Sequence, residues 1–127
     1  MKLRIKGDSL RIRVSRSELA RLLSGERVED TIHFAAAPDA LLTYALESAP
    51  QVSAVRLRYE PQNVTVLLSR EQAELWGTEG EIGIYASIDI GEAGSVAIIV
   101  EKDFACLDRS DAENADSFAN PHARAVC

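Results

Sequence analysis

The chain has 127 residues, 46% hydrophobic and 27% charged, with seven Gly and four Pro, which is enough apolar material for one globular core. This composition excludes a disordered or fibrous chain, and no apolar run approaches the roughly 20 residues of a membrane helix. The net charge of −6 argues against a generally basic nucleic-acid or membrane binder, but residues 1–24 hold seven bases against two acids.

The N-terminal MKLRIKGD alternates charge and apolarity without an apolar core, so no signal peptide is expected. Two cysteines without such a signal suggest free thiols, a reducing compartment and a cytoplasmic address. Lys2–Lys6 alternates as a strand, Gly7-Asp8-Ser9 is a turn signal, and Leu10–Val14 alternates again. Ser15, three residues before Glu18, forms a capping box that opens a helix with an apolar stripe of Leu19, Ala20, Leu22 and Leu23, stopped by Gly25. Strands are expected near Thr31–Ala35 and Leu41–Glu47.

The same pattern then recurs at an offset of 54, residues 1–47 on 55–101, with no gap. Lys2-Leu3-Arg4 falls on Arg56-Leu57-Arg58, and Leu10, Ile12 and Val14 fall on Val64, Val66 and Leu68. Ser69 and Gln72 repeat the capping box, Ala73, Leu75 and Trp76 the buried helix face, and Gly77 the stop. Strands over Ile82–Ile90 and Ser95–Glu101 complete the second unit. The expected fold is α+β and mainly antiparallel: a duplicated ββαββ unit forming a pseudo-twofold barrel or sandwich with two short helices. Residues 1–127 read as a single domain, with pseudo-repeats 1–54 and 55–101 and an acidic, cysteine-containing tail, 102–127. The ββαββ order resembles the swapped-hairpin barrel of AbrB-type regulators, a likeness of topology that transfers no function without a matching site.

The halves differ in charge. Arg11 and Arg13 become Thr65 and Leu67, and Lys6 becomes Glu60. Period-2 alternation places Lys2, Arg4, Lys6, Arg11, Arg13, Arg56 and Arg58 on one side of neighbouring strands, where they would suit a phosphate or an acidic peptide. The bland alternative is a solvated face neutralised by carboxylates of the tail. Val64–Leu68 reads as a strand covered on both sides, with the tail as its expected cover.

Asp108–Ala119 is polar and reads as irregular. Asp103, Cys106, Asp108, Glu113, Asp116 and His122 are the ligand types a zinc or iron site needs, but their spacing matches no closed zinc pattern. A solvated acidic tail is the more economical reading, and no cofactor is expected. Catalytic signatures are missing: there is no G-x-S-x-G, P-loop or H-E-x-x-H, and Cys106 with His122 is the one nucleophile–base pair that can be drawn. His33 and Trp76 read as structural.

Three stretches, MKLRIKGDSLRIRVSRSELARL, LTYALE and VEKDFACLD followed by Asn120-Pro121, resemble a family of small uncharacterised bacterial proteins, a domain of unknown function. The resemblance covers nearly the whole chain and implies a bacterial, cytoplasmic protein with no assigned mechanism. That family tends to have Glu-Asp and a Pro ahead of the Asn-Pro turn; this chain has Glu113-Asn114 and Ala119.

The function expected from the sequence is a non-enzymatic binding or regulatory module for an unknown protein or anionic ligand, away from membranes. The alternatives are a DNA-binding regulator of swapped-hairpin type using the basic face, and a metal-binding or thiol protein centred on Cys106. The tail is expected to fold back across the basic face. Phe104 and Phe118 would pin it, with Asp103 or Asp108 meeting Arg11, Arg13, Arg56 or Arg58.

Overall fold

In the computed structural model, which describes residues 1–106 and 109–121, each half of the chain builds two hairpins around one short helix. The first half supplies β1 (Lys2–Lys6), β2 (Ser9–Val14), α1 (Arg16–Leu23), β3 (Val28–His33) and β4 (Leu41–Ala49). The second supplies β5 (Arg56–Glu60), β6 (Asn63–Ser69), α2 (Arg70–Trp76), β7 (Gly83–Asp89) and β8 (Ser95–Lys102). A four-residue helix, α3 (Asp111–Asn114), follows in the tail.

The hairpins are exchanged between the halves. Sheet A runs β1-β2-β8-β7 and sheet B runs β3-β4-β6-β5, so each sheet takes one hairpin from each repeat. The outer pairs are antiparallel and the central pair of each sheet is parallel. Ser9 lies opposite Ala97 in sheet A, and Asn63 opposite Thr43 in sheet B, which are the same partners moved by 54 positions. The duplication therefore holds at the level of strand register.

One strand departs from the gap-free offset. Val28 faces Leu46 in sheet B, whereas Val100, the equivalent of Leu46, faces Ile84. β7 is thus displaced by two residues relative to β3. The loop before it is longer by two, and the hairpin loop after it is shorter by two. An even shift keeps every side chain on its own face, whereas a shift of one would have turned the apolar set to solvent.

The sheets do not close into a barrel, which corrects that half of the expectation. Each ends in edge strands, β1 and β7 in one and β3 and β5 in the other. Between β1 and β3 the contact is made without a ladder. The Met1 ammonium meets Glu18 at 2.5 Å and Asp30 at 2.9 Å, and the Tyr44 hydroxyl donates to the Met1 carbonyl at 3.3 Å.

Leu10, Ile12, Val14, Ile98 and Val100 of sheet A meet Val28, Leu46, Val66 and Leu68 of sheet B in one buried cluster, with both helices at its end. Both capping boxes form, Ser15 with Glu18 and Ser69 with Gln72. The helices bury Leu19 and Leu22 in one repeat and Ala73 and Trp76 in the other. Leu75 is 63% exposed and Leu23 43% exposed, so the apolar stripes are narrower than the sequence suggested. A helix of seven or eight residues turns only about two positions into a core. Gly25, at φ +94°, adopts the left-handed stop; Gly77 does not, and a Cβ there would come within 2.8 Å of Leu23 Cδ1.

Candidate functional site

The outer face of sheet A places Lys2, Arg13, Glu101 and Gly83 in one cross-strand row and Arg4, Arg11, Ile99 and Tyr85 in the next. Lys6, Ser9, Ala97 and Ser87 make a third. Period-2 alternation with the inward residues Leu10, Ile12, Val14, Ile98 and Val100 fixes these side chains outward. Arg11 Nε holds Glu101 Oε1 at 3.1 Å, and the Tyr85 hydroxyl donates to Glu101 Oε2 at 3.1 Å. Burial and the Glu101 charge push the Tyr85 hydroxyl above the usual phenol range. Gly83 makes this arrangement possible, since a Cβ there would stand 2.9 Å from Glu101 Cγ.

Arg56 and Arg58 lie on β5 in sheet B, so the seven-residue basic set is divided between two sheets. Their own face is neutralised from within. Arg27 spans it, donating from Nη1 to Glu47 Oε1 at 2.6 Å and Thr65 Oγ1 at 3.0 Å, from Nη2 to Asn63 Oδ1 at 3.2 Å, and from Nε to Glu29 Oε2 at 2.7 Å. Arg58 adds a bond to Glu47 Oε1 at 3.2 Å. Once the two-residue shift is allowed, Arg27 stands where sheet A has Gly83, and Glu47 where it has Glu101. Arg27, not the tail, therefore covers the middle of β6, where Thr65 is 1% exposed. The sequence carried no signal for this because Arg27 precedes its strand.

Burial opposes ionisation of Glu47, but the Arg27 hydrogen bond and the Arg58 and Arg27 charges outweigh it and hold Glu47 below the usual carboxylate range. A depressed folded value means that the stability it contributes is present above the ordinary glutamate range and lost as pH falls through the folded value. Wild type should lose more stability than Glu47→Gln between about pH 5 and pH 3 in urea titrations. Equal losses would show that the clamp contributes nothing measurable.

The tail docks at one end of the basic face, against Lys2, and does not cross it. Phe118 pairs with Phe104 as an isolated parallel bridge, and their rings meet edge to face with centroids 6.4 Å apart. Phe118 N donates to Asp103 O at 2.9 Å, and Ala105 N to Phe118 O at 2.8 Å. Asp103 accepts from Lys2 Nζ at 2.8 Å and from Arg109 Nη1 at 3.4 Å, not from Arg11, Arg13, Arg56 or Arg58. Asp116 accepts from the Ser17 amide at 3.1 Å and from the Ser17 hydroxyl, which hold its carboxyl below the usual range. The tail is thus fastened over the first turn of α1, leaving Arg4 and Lys6 exposed.

The stretch read as irregular contains α3, opened by a third capping box of Ser110 with Glu113. The S-x-x-E signal that marked α1 was present here too. Asn114 Oδ1 accepts from Cys106 N at 3.0 Å while its Nδ2 donates to Cys106 O at 2.8 Å, a pair of bonds that an ionised Asp cannot make.

Of the expected metal ligands, Asp103, Cys106, Glu113 and Asp116 lie among the described residues, and no three of them are brought together. Among the described residues no three His, Cys, Asp or Glu side chains form a cluster that could hold an ion. Asp103 is tied to Lys2 and Arg109, Glu113 to Ser110 and Asp116 to Ser17. Cys106 is buried and disulfide-bonded, which corrects the expectation of free thiols and removes the nucleophile of the Cys106–His122 pair. Asp108, His122 and Cys127 lie outside the described residues. His33 is exposed on β3, and Trp76 is buried with its Nε1 donating to Ile82 O at 3.0 Å.

Two mixed four-stranded sheets built from a duplicated ββαββ unit, with a docked tail, define the class of protein. Residues 1–122 match the model of a family described as Family of unknown function (DUF7009), and the chain belongs to that family. No curated protein and no solved structure matches it. No helix among the described residues is long and apolar enough to cross a membrane.

Proposed function

We propose that this protein is a non-enzymatic binding module that docks an extended acidic segment of a partner protein along β1, on the outer face of sheet A. One observation carries the reading. Arg4, Lys6 and Arg13 have no ionic partner among the described residues, whereas on the equivalent face of sheet B Arg27 and Arg58 are clamped by Glu29 and Glu47. Arg4, Lys6, Ser9, Arg11 and Ile99 line a shallow depression of about 170 Å³ on this face. β1 is also an edge strand, so an added strand would gain main-chain hydrogen bonds while its carboxylates met Arg4 and Lys6. A disulfide persists in an oxidising compartment, so Cys106 removes the argument that favoured the cytoplasm.

Fluorescence anisotropy with a labelled Glu-rich peptide and a labelled DNA duplex tests the reading. The peptide should bind wild type and weaken at least about tenfold in Arg4→Glu/Lys6→Glu, since a charge-assisted bond contributes about 1.5–3 kcal/mol. Arg58→Glu, on the other sheet, should leave binding unchanged. Duplex binding that falls steeply between about 50 and 200 mM salt, with the peptide silent, would replace this reading with the DNA-binding regulator. Binding of neither would overturn it.

A further inference from the structure

We infer that the cavity between the docked tail and the α2–β7 loop is a small-molecule site for a carboxylate carried on an apolar or aromatic body. The cavity holds about 510 Å³, within the usual range of small-ligand sites, and Phe104, Phe118, Ile82 and Pro121 supply its apolar wall. Lys102 lies among them and is 5% exposed, although lysine is almost never buried without a partner.

The surroundings of Lys102 explain what it lacks. Its strand continues the inward-facing series Ile98, Val100, Lys102, so the ammonium is carried to the end of the core and not into solvent. There Nζ donates to Thr78 O at 2.9 Å and sits 5.3 Å from the Phe118 ring centroid. One carbonyl and one ring face leave an ammonium with three donors short of an anion. Burial lowers the Lys102 pKa, and Glu81 opposes that shift without reaching ion-pair distance. A ligand carboxylate entering the cavity would satisfy the remaining donors in surroundings where a charge-assisted bond is strongest. Arg16 at the rim adds a second cation, while Glu79 and Glu81 on the loop disfavour dianions such as phosphates. The tail supplies Phe104 and Phe118, so the cavity exists only while the tail is docked.

Phenylacetate and its neutral isostere phenylacetamide are suitable probes. Binding would be followed by amide shifts of Gly77, Gly80 and Ile82 and by the indole signal of Trp76, the one tryptophan, whose Nε1 bonds the Ile82 carbonyl. Wild type should show saturable shifts with phenylacetate and bind phenylacetamide at least about tenfold more weakly, as a missing charge-assisted bond implies. Lys102→Met keeps the apolar stem and should bind both probes alike. Ala119→Trp changes an exposed residue at the mouth and should abolish both, which preserves the test if Lys102→Met does not fold. Arg4→Glu/Lys6→Glu should leave the titration unchanged, so failure here is distinct from failure of the sheet-face reading. Absent or unsaturable shifts, equal affinity of wild type for the two probes, or shifts that survive Ala119→Trp would each overturn the inference.

Discussion

Trp76→Ala should destabilise the protein by about 3–5 kcal/mol, the largest effect expected of any single truncation here. Trp76 is 2% exposed, fills the end of the core between the sheets, and satisfies its indole N–H on the Ile82 carbonyl. Its equivalent in the first repeat is Leu22, and the equivalent of Leu19 is Ala73. The two helices therefore divide a fixed volume differently, medium with medium in α1 and large with small in α2. Trp76→Leu, which copies the first repeat at one position, should be destabilising, and adding Ala73→Leu should recover part of the loss because summed volume is what such cores conserve. Leu75→Ala, one position away but 63% exposed, should change stability by less than about 0.5 kcal/mol. Urea midpoints of the four variants test this ranking. A Leu75→Ala effect as large as that of Trp76→Ala would refute the assignment of the helix faces.

Phe118→Ala is expected to release the tail while leaving both sheets intact. The half-buried ring contacts Phe104 and lies beneath the Lys102 ammonium, and its backbone carries both bonds of the isolated bridge. Full burial of such a ring is worth about 1.5–3 kcal/mol, of which a half-buried one keeps about half, whereas each exposed ion pair of the tail adds only about 0–1 kcal/mol. Limited proteolysis should therefore cut near residues 108–120 much faster in Phe118→Ala than in wild type. Asp111→Ala should behave like wild type, because Asp111 is exposed at the start of α3. Unchanged cleavage in Phe118→Ala would mean that the Asp116 contacts with α1 hold the segment instead.

Much of the architecture could be read from local signals. Alternation located β2 and β6, serine–acid or serine–amide spacing located both main helices, and the observed partners of β2 and β6 keep the 54-residue offset. What escaped was set by groups that meet through space. Arg27 sits before β3 and looks like loop charge, yet it seals one face of sheet B through Glu47, Thr65 and Asn63. Lys102 lies one residue past the strand expected over Ser95–Glu101, yet extending its alternation places Lys102 inward with Ile98 and Val100. The basic residues were assigned to one face because the alternation was right and the sheet membership was not. Arg56 and Arg58 share the parity of Lys2 and Arg4 but belong to the other sheet. The gap-free alignment placed β3 about three residues late, since a two-residue displacement is invisible to a pattern whose period is two.

The exchange of hairpins has a consequence for how the molecule is made. Sheet B is assembled from residues 28–69, and its parallel pair joins Thr43 to Asn63, so all its strands have left the ribosome before α2 is complete. Sheet A has the same shape but must join Ser9 to Ala97 across most of the chain. Synthesis from the N-terminus at about 5–20 residues per second leaves the β1–β2 hairpin waiting several seconds for β8. During that interval Leu10, Ile12 and Val14 lack half of their sheet, and the unpaired side of β2 is open to strands of other chains. Two structurally equivalent sheets thus carry unequal risk during biosynthesis, and the bases of β1 and β2, by mutual repulsion, lower that risk where the wait is longest.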